Sequence, residues 1–157
     1  TPLKRVTPYA LYVSAVPGAI PPVMGYASAT GGQLDLTALV LFGLLFVWQV
    51  PHFLAIALFR SCEYARAGFK VFGAPGHERG ARRLLVVWSV ILFVASLLPA
   101  LWHIGGTLYL ALALGFGAAF VVGAVYGLRE AADRGWARSL FFASMPYLVV
   151  LLIGLAL

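Results

Sequence analysis

Five apolar stretches separated by four polar ones run the length of the chain. The apolar stretches are residues 8–30, 36–59, 84–102, 107–128 and 139–157; the polar ones are 31–35, 60–83, 103–106 and 129–138. About 20 residues of α-helix, rising ~1.5 Å each, cross a ~30 Å hydrocarbon core, so each apolar stretch predicts a transmembrane helix. The first is interrupted by Pro17, Gly18, Pro21, Pro22 and Gly25. In water these would break a helix. Inside a bundle, neighbouring helices satisfy the freed carbonyls, and a kinked span is expected. Ser14, Gly18 and Gly25 would let another backbone approach closely. The 60–83 segment has glycines at 68, 73, 76 and 80 and is expected to be largely irregular.

Composition agrees with a membrane location. The chain is 62% hydrophobic and 10% charged, against roughly 25% charged residues in soluble domains. Eleven Lys and Arg give a net charge of +6. In a chain this apolar, that charge points to anionic lipid headgroups and topology, not to nucleic acid. Two of the eleven precede the first stretch (Lys4, Arg5), six lie in 60–83 and three in 129–138; 31–35, 103–106 and the C-terminal end have none. Such alternation predicts five spans with the basic loops cytoplasmic. The single cysteine, Cys62, excludes an internal disulfide and reads as an inert residue at a helix end. Residues 1–7, TPLKRVT, read as the middle of a protein.

Chemistry concentrates in Trp48–Lys70, WQVPHFLAIALFRSCEYARAGFK. On one continuous helix, Gln49 and Arg60 share a face, and so do His52 and Glu63. Each pair is eleven residues and ~16 Å apart, so a polar stripe would run from buried depth to a charged rim. Intramembrane ionisable groups are costly and tend to be functional, which makes His52 a candidate ligand or substrate contact. The bland alternative is a histidine bonded to a neighbouring carbonyl or to Gln49. Pro51 frees a carbonyl one turn earlier, which could line a cavity beside His52. Trp48 and Phe53 offer flat surface for packing or for stacking on a planar substrate. Arg60, Arg66 and Lys70 either snorkel to headgroups or hold phosphate. Glu63 beside Tyr64 could bind Mg²⁺, with Glu78 a distant second carboxylate. Asp133 and Arg134 read as a solvated turn.

The runs PGAIPPVMGYASATG (17–31), FVWQVPHFLAIALFR (46–60), EYARAG (63–68) and DRGWARSLFF (133–142) resemble the protoheme IX farnesyltransferase (heme O synthase) branch of the UbiA superfamily of intramembrane prenyltransferases. The resemblance implies an all-α polytopic bundle, the C-terminal five of nine helices around a cavity that opens to the cytoplasm of the inner cell membrane. It implies transfer of farnesyl from farnesyl diphosphate to a vinyl group of heme B, with Mg²⁺ as cofactor. Glu63 falls where the family's second acidic motif begins. Arg60, Glu63 and Tyr64 would then be catalytic and Glu63 a metal ligand. His52 on the porphyrin side would bind substrate with Trp48, Gln49, Arg66 and Lys70. Heme A synthase or oxidase assembly proteins are the implied partners. The chain departs from the family in having Glu at position 63, where Asp is usual, and Lys70-Val71-Phe72-Gly73 where the family has a Pro-Met-Leu-Pro-like run. Its first acidic motif has no counterpart here. Two other readings stay open: a UbiA-type enzyme acting on another aromatic acceptor, and a non-catalytic relative that binds heme or partners.

Overall fold

The computed structural model describes residues 3–74, 76–129 and 133–156, apart from the side chains of Lys4 and Arg134. The expectations placed on those two side chains, and on residues 130–132 of the last polar loop, therefore lie outside the described residues. Among the described residues there are helices and no strands: α1 (Leu3–Val6), α2 (Ala10–Ala29), α3 (Leu36–Phe59), α4 (Ser61–Arg66), α5 (Glu78–Leu101), α6 (Thr107–Tyr126) and α7 (Arg134–Ala156).

Four of these are long and apolar enough to cross a membrane: α3, α5, α6 and α7 from Gly135. The expected first span forms α2, a 20-residue helix that contains Pro17, Pro21 and Pro22. It is not among the four, because prolines, glycines, serines and tyrosines dilute its aliphatic content. The 60–83 segment is also more regular than its glycines suggest. Residues 61–66 form α4, and α5 begins at Glu78, so Glu78, Arg79, Arg82 and Arg83 are helical. Arg82 explains why its helix extends past the apolar stretch: its guanidinium donates to the carbonyls of Gly127 (3.0 Å) and Arg129 (3.3 Å) and lies over the Trp136 ring. Gly127 caps the C-terminal end of α6, where carbonyls lack intrahelical partners, and Arg129 lies in the loop just beyond it.

α3 is the central helix. It packs against α2 on one side and against α5 and α7 on others, and α6 closes the group by touching α5 and α7. The core runs through Leu54, Leu85, Leu92, Tyr109, Phe120, Tyr147 and Leu151. Apolar side chains gain little from leaving lipid, so tight packing and polar links must hold the helices together. One link is a buried hub: Tyr109 donates to the Ser96 carbonyl (2.7 Å) and Tyr147 to its hydroxyl oxygen (3.0 Å). Val13, Leu39, Val94, Val122 and Ile153 face outward.

The turn into α3 is capped by Asp35, whose carboxylate accepts from the Ala38 N–H (3.1 Å) and the Tyr26 hydroxyl (2.7 Å). These bonds hold its carboxyl below the usual carboxylate range, the Tyr26 hydroxyl being the larger cause and the Ala38 N–H the next.

Candidate functional site

The single polar stripe expected along Trp48–Lys70 does not form. α3 ends at Phe59, Arg60 leaves helical geometry (φ −102°, ψ 18°), and α4 starts afresh at Ser61. The eleven-residue pairings assumed an uninterrupted helix, so the expected site divides into an interior part and a rim.

Within the interior, Trp48, Gln49 and His52 turn toward different neighbours. Gln49 is 5% exposed, and its amide donates to the carbonyls of Ala15 on α2 and Leu45 on α3, each at 3.2 Å. Gly18 makes this possible: a Cβ there would overlap the Gln49 amide. Gln49 therefore staples α2 to α3 and has little surface left for a substrate. His52 faces α7, with Nδ1 lying 2.7 Å from the Ser144 hydroxyl. Its ring sits 4.6 Å from Trp48 at an interplanar angle of 25°, 4.6 Å from Phe141 at 36°, and 5.7 Å from Phe53. The Trp48 indole N–H donates to the Ser144 carbonyl (2.7 Å). Trp48 and His52, one turn apart, are thus both anchored on Ser144. Pro51 is fully buried within α3. The carbonyl it was expected to free is not what meets His52; Ser144 is.

At the rim, Arg60 pairs with Glu63 at 2.7 Å, with the side chains 51% and 64% exposed. An ion pair that open to solvent is worth about 0–1 kcal/mol and is screened by salt. Tyr64 and Lys70 line a cavity of about 70 Å³ with Leu11, Ser14, Phe53 and Phe72. The cavity lies between α3, α2 and the 64–72 segment, whereas His52 turns toward Ser144 and Phe141 of α7. Arg66 is exposed at the last turn of α4. The unusual 70–73 run is fastened to α2 by Phe72, which meets Tyr9 (5.6 Å) and Tyr12 (6.2 Å) edge-on. It then turns at Gly73, where φ is +85°.

The fit to Mg²⁺ is poor within this chain. Among the described residues no three His, Cys, Asp or Glu come together. The Glu63 carboxylate meets Arg60, and the Glu78 carboxylate accepts from the Gly76 N–H (2.9 Å) and lines a different cavity. Glu63 can supply one carboxylate, not a site.

Two features escaped the sequence. Ser144 is a fully buried polar residue in an apolar run, FFASMPY, and its polarity beside Pro146 was the available signal. The second is a cavity of about 860 Å³ walled by Arg79, Arg82, Arg83, Arg129, Glu78 and Asp133. It stayed hidden because α5 was expected to begin only at Leu84.

The UbiA prenyltransferase family profile matches residues 1–145. The chain belongs to the UbiA prenyltransferase family. Curated proteins named protoheme IX farnesyltransferase are similar to this UbiA chain. The one from Sorangium cellulosum (strain So ce56) is 46% identical over 99% of the chain and 55% of its own length. That from Anaeromyxobacter dehalogenans (strain 2CP-C) is 42% identical over the whole chain and 52% of its length. That from Myxococcus xanthus (strain DK1622) is 41% identical over the whole chain and 53% of its length. The chain spans about half the length of these relatives. No solved structure matches it significantly. UbiA membership and four candidate spans make this a multi-pass membrane protein.

Proposed function

We propose that this chain supplies the second half of an intramembrane prenyltransferase that moves farnesyl from farnesyl diphosphate to a vinyl group of protoheme IX, giving heme O. The observation that carries this is the 46% identity across 99% of the chain to a relative named for that reaction. In the proposed step the C–O bond to diphosphate breaks, the leaving group takes the electron pair, and the vinyl carbon bonds to C1 of farnesyl. Water then adds to the resulting cation and loses a proton.

The two parts of the site suit the two ends of this chemistry. Arg60, Arg66 and Lys70 sit at the polar end, where a cation can hold the diphosphate and stabilise its charge as it leaves. Phe53, Phe72 and Tyr64 present apolar and aromatic surface just inward, where an allylic cation is shielded from early quenching by water. At about 70 Å³ the cavity takes part of the isoprenoid, not the whole farnesyl chain. His52, with Trp48 and Phe141, forms the porphyrin side. Mg²⁺, if the complete enzyme uses it, needs carboxylates beyond Glu63. On this reading the basic segments 60–83 and 129–138 face the cytoplasm of the inner membrane, and heme A synthase or oxidase assembly proteins take the product.

Extraction of hemes from cells whose only candidate farnesyltransferase is the full-length gene tests the proposal. Heme O in those cells, absent without the gene, is the expected result. Unchanged heme B together with a newly prenylated quinone precursor would assign the protein to another acceptor. Unchanged hemes and quinones would leave a non-catalytic relative.

A further inference from the structure

We infer that Ser144 fixes the tautomer of His52, so that Nε2 keeps its lone pair as a ligand for the iron of a metalloporphyrin. The inference rests on the heme-acceptor assignment above and deepens it.

The Ser144 hydroxyl has a single hydrogen and two neighbours within bonding distance, the Phe141 carbonyl at 2.6 Å and His52 Nδ1 at 2.7 Å. A carbonyl oxygen can only accept, so the serine proton lies toward Phe141. The contact with His52 must then be Nδ1–H donating to Ser144 Oγ. A neutral imidazole protonated at Nδ1 has its lone pair on Nε2. Among the described residues none bonds Nε2.

Packing holds the ring in that state. Ser144 is fully buried, so no water competes for its hydroxyl. Trp48 and Phe141, each 4.6 Å from the imidazole, restrain its tilt. The Trp48 indole is itself held by the Ser144 carbonyl. Flipping the ring about its own axis would move Nδ1 off Ser144 and place a carbon against a buried hydroxyl oxygen, leaving that oxygen short of a partner. An outer group that bonds the non-ligating nitrogen of a metal-binding histidine orients the ring and raises its basicity. Ser144 has that position here. It is a positioning residue, acting on the iron only through His52.

The test titrates ferric and ferrous protoheme into the detergent-purified full-length protein, read by optical, EPR and resonance Raman spectra. The wild type should show iron ligated by one histidine. His52→Gly should lose that signature and regain it when free imidazole is added. Ser144→Ala should weaken heme binding by roughly 10–100-fold and lose the histidine signature, and Ser144→Thr, which keeps the hydroxyl, should restore both. If Ser144→Ala does not fold, the imidazole rescue of His52→Gly decides the ligand, and the Ser144→Thr spectrum decides the role of the hydroxyl. Heme that binds the wild type without histidine ligation, or a Ser144→Ala spectrum and affinity equal to wild type, would overturn the inference alone. A wild type that takes up no heme overturns the heme-acceptor assignment and the inference together.

Discussion

The interior around His52 and the rim around Glu63 lie within a dozen residues of each other and obey different physics. In the interior, the Trp48 indole N–H, the Gln49 amide N–H and His52 Nδ1 each meet a partner on a neighbouring helix. In an apolar interior a buried donor left unpaired would cost several kcal/mol. At the rim, Arg60 and Glu63 are more than half exposed and bind each other through a contact that salt can screen. The interior therefore orients groups, whereas the rim holds exposed charge that could be re-partnered by the proposed diphosphate.

Interior substitutions should break this comparison most strongly. His52→Ala in the full-length protein is expected to lower heme O yield at least ten-fold, with membrane insertion unchanged by protease-protection mapping. A yield equal to wild type would remove His52 from the site. Next is Gly18→Ala. Its methyl group would overlap the Gln49 amide, and overpacking of this kind costs ~1–3 kcal/mol. A drop in the melting temperature of the purified protein is expected, and Gln49→Ala in the same chain should restore part of it. Trp48→Phe removes the indole N–H and narrows the bicyclic ring to a single one. The lost bond to Ser144 is worth about 0.6 kcal/mol, the average between membrane helices, and the lost stacking surface on His52 adds to it, so a modest stability loss is expected, measurable by unfolding in mixed detergent.

The smallest effect belongs to the solvated turn at Asp35. Its carboxyl is depressed in the folded state, so the bond to Tyr26 stabilises the turn above the usual carboxylate range and is lost as pH falls through the folded value. Hydrogen exchange at residues 36–39 should rise on acidification in the wild type and be insensitive to pH, after correction for intrinsic rates, in Asp35→Asn. Equal behaviour of the two would remove Asp35 as the titrating group.

How much of this the sequence carried follows from the same division. The apolar stretches gave the long helices because burial in lipid is a property of each stretch by itself. The Arg60–Glu63 pair is three residues apart and equally local, but from sequence Arg60 is set against headgroups or phosphate and Glu63 against Mg²⁺, and the two are not paired. Partners in the interior were not legible either. Gln49 bonds a carbonyl 34 residues away, His52 a hydroxyl 92 away, and Trp48 a carbonyl 96 away. Which one each meets depends on how α3 is rotated against α2 and α7, which it contacts at Gly18 and Ser144. The stripe failed at Arg60 for a simpler reason. Its expected geometry needed uninterrupted helix through residue 60, and the backbone leaves helical geometry there. The membrane character of α2 is divided in the same way: the sequence predicts a span, and its prolines yield a helix that falls outside the four clearly apolar ones.

The most direct measurement is a pair of substrate profiles on the full-length enzyme, varying farnesyl diphosphate and protoheme in turn for Arg60→Ala and His52→Ala. Arg60→Ala should raise KM for farnesyl diphosphate roughly three- to five-fold, in keeping with the ~1 kcal/mol reach of an exposed charge, and leave KM for protoheme unchanged. His52→Ala should do the reverse, weakening protoheme and sparing the diphosphate. Two variants that weaken both substrates alike, or that exchange these effects, would contradict a site divided into a wet charged rim and a dry aromatic interior.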